Sequence, residues 1–218
     1  MRALIISDHA HVRERFLEEF SGEIDEITAT LTQAYSAYRR LEDKVRLDDR
    51  SAHVQAFAFT ALNSLITSTN LLLSGLQLPS GNLMRQYGEA SAMALLCSHP
   101  SIDVLARMRK DPHSFPYQNA IEIVGRKRNR RLLGLKAPEW KTFGNIGKFY
   151  DRFSHASFFA IASQTMFGQP GMLIVLGEFD PEKIEPYRIE MRRRKTAATV
   201  LGHLMDYLSE RLPQKKDG

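Results

Sequence analysis

The sequence predicts an all-α fold, a multi-helix bundle of about seven helices with at most a minor two-stranded β ribbon. Two observations lead to this prediction. Apolar residues recur every three or four positions over most of the chain, and clusters of Gly, Pro and Ser interrupt that pattern at intervals. We expect one helical domain over 1–218, with its core in 54–167 and a C-terminal ribbon and helix in 172–212.

The helix boundaries follow from capping and breaking residues. Ser51 and Ser80 are the expected N-caps of the second and third helices, and the residue before Pro100 disfavours helical dihedral angles. The predicted helices cover about 9–47, 51–76, 80–98, 117–134, 138–155, 157–167 and 186–212. The helices around 54–76 and 82–98 are expected at the centre of the bundle.

Two segments leave alternatives open. The helix that follows Pro138 either runs through His155 or breaks there, with Ser154 or Ser157 capping a new helix. Residues 172–179, rich in Ile, Val and Leu, are the one convincing strand candidate, and they can pair with 3–6 as the ribbon.

Composition limits the classes of function. A lone Cys97 excludes a disulfide framework within the chain and suits the cytosol, so we expect a cytoplasmic protein. The uncharged stretch 54–84 carries too many Ser, Thr and Asn residues for a bilayer span, so we expect no membrane partner. A net charge of +5 permits RNA or a nucleotide as a partner. Long apolar helices also favour a homodimer.

Arg85 and Glu89 are the first candidate site residues. They lie four positions apart, so they are neighbours on one helix surface, and the stretch from 90 to 102 has no charged residue. An ion pair in such surroundings recruits further hydrogen bonds. The pair is either structural or faces a ligand, and the sequence leaves both interpretations open.

His155 is the second candidate, set with Arg152 and Ser154 in an aromatic segment. Asp151 can orient the imidazole, which can then act as a general acid or base near neutral pH. The alternative is a histidine that only holds a helix junction by hydrogen bonds. Ser154 is a weaker candidate because it lacks the Gly-flanked turn typical of serine nucleophiles. We expect Arg85, Glu89 and His155 to converge in space, because polar groups among apolar residues need partners.

Two basic runs are candidates for phosphate binding, with a solvated helix surface as the alternative. The first run is the candidate nucleic-acid site and comprises Arg126, Lys127, Arg128, Arg130 and Arg131; the second is 192–195. Neither run is interleaved with aromatic residues, so base stacking is not predicted there. The histidines are scattered and no Cys cluster exists, so we predict no metal site and no cofactor. Residues 144–148 end like a phosphate loop, but no strand precedes them.

The residues around the two candidates resemble a known group. The matching positions are Tyr150, Phe153, Ser154 and His155 in the later motif, and Arg85 and Glu89 on the earlier helix. This pattern resembles bacterial helical proteins related to HEPN (higher eukaryotes and prokaryotes nucleotide-binding) and abortive-infection-type domains, over about 54–167. The resemblance implies a helical bundle that acts on or binds RNA or a nucleotide in stress or phage defence. It also implies that His155 is a general base, with Arg152 or Arg85 stabilising phosphate charge.

The match departs from the group in two ways. Its Ser and His are usually separated by a few residues, whereas Ser154 and His155 are adjacent, and Arg152 precedes His155 more closely than in ribonuclease members. A non-catalytic interaction or regulatory protein therefore remains the alternative, as does a basic nucleic-acid-binding module. An open cleft that reaches His155 favours chemistry, whereas a sealed and fully hydrogen-bonded cluster favours a structural role.

Overall fold

The computed structural model describes residues 8–46, 48–111, 119–153, 155, 157–169, 172–173 and 177–215, without the side chains of 137–143. Nine α-helices lie within these residues: α1 (Ala10–Lys44), α2 (Asp49–Leu73), α3 (Gln77–Ser98), α4 (Val104–Lys110), α5 (Ala120–Gly125), α6 (Lys127–Leu133), α7 (Ala137–Tyr150), α8 (Phe158–Ser163) and α9 (Ile184–Arg211). Two single 3-10 turns, Asp151–Phe153 and Pro181–Lys183, precede α8 and α9. The fold is therefore all-α.

The helix count exceeds the predicted seven because one helix is added and another is divided. The segment after Pro100 forms a short helix of its own, α4. The predicted helix over 117–134 is divided, because Arg126 has an extended backbone with φ −61° and ψ 135° and so separates α5 from α6.

Two helix pairs make the bundle. α2 packs along α3, and α1 packs along α9. Most of α3 is buried, as expected for a central helix, whereas α2 leaves a face in solvent. The main core also includes side chains of α1 and α9, so it extends beyond 54–167 on both sides.

Neither of the two expected N-caps, Ser51 and Ser80, caps its helix. Asp48, not Ser51, caps α2, and its carboxylate accepts the Ser51 backbone N–H at 2.8 Å. α3 begins before Ser80, whose hydroxyl is buried and donates to the Ser68 carbonyl at 2.8 Å. Ser80 therefore links α2 to α3 instead of capping a helix.

The expected ribbon is not found among the described residues. Its partners at 3–6 and most of its central positions lie outside them, and the described part holds isolated bridges only. One of these joins Leu173 to Thr165, so the chain folds back on the segment after α8.

α2 is the one helix of the described part that is long and apolar enough to cross a membrane. Its most apolar 18-residue window has a mean hydropathy of 1.3, and 39% of that window is buried in the bundle. A soluble bundle helix passes the same test of length and composition, and α2 packs closely on α3.

Candidate functional site

An open cleft of about 800 Å³ lies between α3, α5 and α7. Its lining combines charged groups, side-chain amides and small residues: Arg85, Glu89, Asn119, Ile121, Glu122, Gly125, Gly144, Asn145, Gly147, Lys148, Asp151 and His155. Three of the five residues predicted for the catalytic cluster, Arg85, Glu89 and His155, are therefore in one cleft.

Arg85 and Glu89 form the wall that α3 contributes. The Nε of Arg85 lies 2.9 Å from Oε1 of Glu89, and its Nη1 lies 3.5 Å from Oδ1 of Asp151. Each of the first two side chains is 22% exposed. The pair is thus half-buried at the edge of the cleft and is not sealed in a dry core.

Asp151 joins the arginine to the histidine. The Nε2 of His155 lies 3.7 Å from the same Oδ1 that Arg85 approaches. The side chains of His155 and Asp151 are 68% and 54% exposed. A carboxylate beside an imidazole can fix the orientation of the ring, and both groups are accessible to a ligand.

The backbone breaks where these groups are placed. α7 ends at Tyr150, the following 3-10 turn carries Asp151, and the chain bends at His155 before α8 starts. Ser157 caps α8 by accepting the Ala160 backbone N–H at 3.2 Å. Of the two alternatives, the helix therefore breaks at His155, and α8 ends at Ser163, earlier than Phe167.

An aromatic cluster holds the 3-10 turn against α3. The ring of Phe153 lies 5.9 Å from that of Phe149 and 4.9 Å from that of Phe159. On the other side it seats against the backbone of α3 at Gly81, where a Cβ atom would overlap the ring. The glycine lets the turn approach closely, one helical turn before Arg85, and so sets the position of Asp151 beside the arginine.

A second close contact sets the width of the cleft. Ile121 of α5 inserts between glycines on the two neighbouring helices: a Cβ at Gly147 of α7 would lie 2.5 Å from its Cδ1, and one at Gly88 of α3 would lie 3.1 Å away. Larger residues at these glycines would push α5 outward.

A buried polar network lies behind the aromatic cluster. Arg194 is 1% exposed, and its guanidinium donates to Glu190 at 2.7 Å and to the hydroxyls of Ser68 and Ser80 at 3.1 and 2.5 Å. Tyr150, the residue before Asp151, donates to Glu190 at 2.8 Å. Burial raises the pKa of Tyr150 well above its usual range, so the phenol stays a hydrogen-bond donor.

This network changes the interpretation of the basic run 192–195. Each of its members pairs with a carboxylate, since Arg192 pairs with Glu185, Arg193 and Arg194 pair with Glu190, and Lys195 pairs with Glu26. Because the charges are already compensated and Arg194 is buried, this run is not an open phosphate-binding surface.

The run 126–131 differs. Arg126, Lys127, Arg128 and Arg131 are exposed, and none of them is ion-paired with a carboxylate in the part of the chain that the structure describes. Arg128 makes one long contact of 3.5 Å with the Ser101 carbonyl, and Arg130 is half-buried. The run starts directly after Gly125, which lines the cleft, so it extends from the cleft rim.

The remaining candidates are placed as follows. Arg152 is exposed and is not among the residues that line the cleft. Ser154 lies outside the described residues. Lys148 of α7 lines the cleft, although the sequence did not predict it as a site residue. The sequence signal for it was the pair of glycines, Gly144 and Gly147, that precede the lysine and also line the cleft.

Among the residues that the structure describes, no group of three or more His, Cys, Asp or Glu side chains is placed to hold a metal ion. In comparisons with family models, curated proteins and solved structures, nothing matches this chain.

Proposed function

We propose that this protein is a HEPN-like helical protein whose cleft binds single-stranded RNA and cleaves it, with His155 as the general base. The observation that supports the proposal is the exposed His155–Asp151 pair, at 3.7 Å, inside an open cleft that also presents Arg85. A histidine that only held a helix junction would be buried and hydrogen-bonded, whereas this imidazole is 68% exposed.

Lys148 and the basic run at the cleft rim support a phosphate-bearing substrate. Lys148 lines the cleft and is exposed, and no carboxylate of the described part forms an ion pair with it. The uncompensated run from Arg126 to Arg131 continues outward from the rim. The cleft lining carries the carboxylates of Glu89, Glu122 and Asp151 against the cations of Arg85 and Lys148, so the attraction for a polyanion comes mainly from the run at the rim. Glu89 and Asp151 hold Arg85 and His155 in position.

The reaction that fits these groups is transesterification within RNA. Neutral His155 removes the proton of a 2′-hydroxyl, the 2′-oxygen bonds to the adjacent phosphorus, and the bond from phosphorus to the 5′-oxygen breaks. The leaving 5′-oxygen takes a proton, for which Lys148 is the candidate donor. The products are a 2′,3′-cyclic phosphate and a 5′-hydroxyl, and Arg85 stabilises charge on the non-bridging oxygens.

The alternative function is a non-catalytic interaction protein. The observation that favours it is the exposed apolar segment after His155, where Phe158 is 86% exposed and Leu173 is 63% exposed. This alternative predicts partner binding without RNA cleavage.

Incubation of the purified chain with a labelled single-stranded RNA tests the proposal. The wild type should cleave it, and His155→Ala should lose at least about 100-fold of that rate, the usual contribution of a general base. His203→Ala is the matched control, because His203 is an exposed histidine on α9 that does not line the cleft. Equal cleavage by the His155→Ala variant, or none by the wild type, would refute the proposal.

A further inference from the structure

The segment that follows the site has an unusual surface. From Phe153 to Gly177 the chain has no Asp, Glu, Lys or Arg, and His155 is its one titratable side chain. Five large apolar side chains of its described part are exposed: Phe158 by 86%, Ile161 by 55%, Phe167 by 50%, Met172 by 49% and Leu173 by 63%. Single exposed apolar residues need no explanation, but a group of them beside a cleft indicates a binding surface.

Phe158 is held in a defined position next to the cleft. Ser157 donates to the Arg152 carbonyl at 2.7 Å, which ties the start of α8 to the turn that carries Asp151. At the other end of α8, the buried Lys183 ammonium donates to the Ala162 carbonyl at 3.1 Å. The neighbouring Phe159 ring packs on Phe153 and Phe149. Phe158 therefore projects into solvent from an anchored helix, three residues after His155.

We propose that Phe158 is a stacking platform for an unpaired base of the RNA strand that the cleft binds, a role that rests on the function proposed above. The ligand must satisfy two neighbouring surfaces of different chemistry. The cleft and the 126–131 run offer cations for phosphates, whereas the α8 segment offers an exposed aromatic ring without any charge that would repel a polyanion. A single-stranded nucleic acid has both phosphates and exposed base faces.

The proposal predicts the class of RNA that binds. Stacking needs an unpaired base, and it tolerates every base because each has a π face. The protein should therefore favour single strands over duplexes of equal length, with little preference for sequence. Phosphate contacts alone would not separate the two forms in this way.

Fluorescence anisotropy with a fully 2′-O-methylated single strand, which cannot be cleaved, isolates binding from chemistry. Phe158→Ala should weaken binding about tenfold or more, the range for one stacked base. Tyr35→Ala is the matched control, since Tyr35 is an aromatic residue of α1 that is 48% exposed and does not line the cleft. It should leave the affinity unchanged. An abasic strand of the same length should bind Phe158→Ala and the wild type equally, because it keeps the phosphates and lacks the bases.

The outcomes separate the two proposals. If Phe158→Ala binds the methylated strand as tightly as the wild type does, or if it loses the abasic strand equally, the stacking role is wrong, whereas cleavage by the wild type keeps the proposed function. If the wild type neither binds nor cleaves RNA, both proposals fail. A protein that does not bind RNA could instead bind vesicles or self-associate, as sedimentation would show. If Phe158→Ala abolished either of these, the segment would belong to a membrane contact or to a contact with a second copy, and the stacking role would be overturned.

Discussion

The Tyr150 hydroxyl donates a 2.8 Å hydrogen bond to the Glu190 carboxylate, and this bond ties the end of α7 to a buried ion pair on α9. Asp151 follows Tyr150 directly, so the position of the site carboxylate depends on a network that lies outside the cleft. Glu190 accepts from three donors, Tyr150, Arg193 and Arg194, and its side chain is 15% exposed.

Glu190→Ala should destabilise the protein by about 3–5 kcal/mol, because it leaves the buried Arg194 guanidinium without its carboxylate. Urea denaturation measures this change. The control is Glu185→Ala, since Glu185 is 59% exposed and pairs with Arg188 and Arg192 at the surface, where each pair contributes at most about 1 kcal/mol. Equal midpoints for the two variants would show that water solvates Arg194.

Gly81→Ala should destabilise the protein by about 1–3 kcal/mol, because its Cβ would overlap the Phe153 ring and force the 3-10 turn away from α3. The same shift should move Asp151 away from Arg85 and reduce RNA cleavage. Gly22→Ala in α1 is the opposite control: nothing lies within 4 Å of its Cβ, so better helix propensity should stabilise by roughly 0.5–1 kcal/mol. Thermal melts of both variants check the signs, and a stabilising Gly81→Ala would contradict the packing.

Cys97 should titrate far above an ordinary thiol, because burial raises its pKa to about 12. A raised pKa means that the neutral thiol stabilises the fold fully below the ordinary value of 9.0, and that this contribution is lost as the pH rises towards about 12. The difference in the free energy of unfolding between the wild type and Cys97→Ala should therefore narrow as the pH rises above 9.0. Alkylation of the native thiol at about pH 10, one unit above the ordinary pKa of 9.0, should be slow until the protein unfolds. Fast labelling of the folded chain would show that the site opens.

RNA binding should depend on salt through the 126–131 run. Each lost phosphate contact lowers the slope of log affinity against log salt by about 0.7 for a single strand. Replacement of Arg126, Lys127 and Arg128 by Ala should therefore flatten the slope. Replacement of Arg192 and Lys195 should not, because both are paired with carboxylates. Anisotropy titrations over a salt series measure both slopes, and equal slopes for the two variants would contradict the assignment.

Much of the fold was predictable because helix formation leaves a local pattern. Apolar periodicity predicted α1, α2, α3 and α9 to within a few residues, and Pro100 predicted the end of α3. The division between α5 and α6 was missed, because it depends on the extended dihedral angles of Arg126, for which no Pro or Gly-Pro signal exists.

The candidate site was partly predictable for a related reason. Arg85, Glu89 and His155 stood out as polar groups in apolar segments, and the structure brings them together. Lys148 and the Glu190 network were missed, because contacts between residues on different helices leave no regular spacing in the sequence. Arg194 looks like its three basic neighbours in the chain, and packing alone separates the buried member from those at the surface.

Cleavage of a DNA strand that contains one ribonucleotide tests the central claim most directly. If His155 acts as the base on a 2′-hydroxyl, the wild type should cut after that single ribonucleotide and leave a 2′,3′-cyclic phosphate. An all-DNA strand should stay intact, and His155→Ala should cut neither strand. Cutting of the all-DNA strand, a product without the cyclic phosphate, or undiminished cutting by His155→Ala would contradict the account.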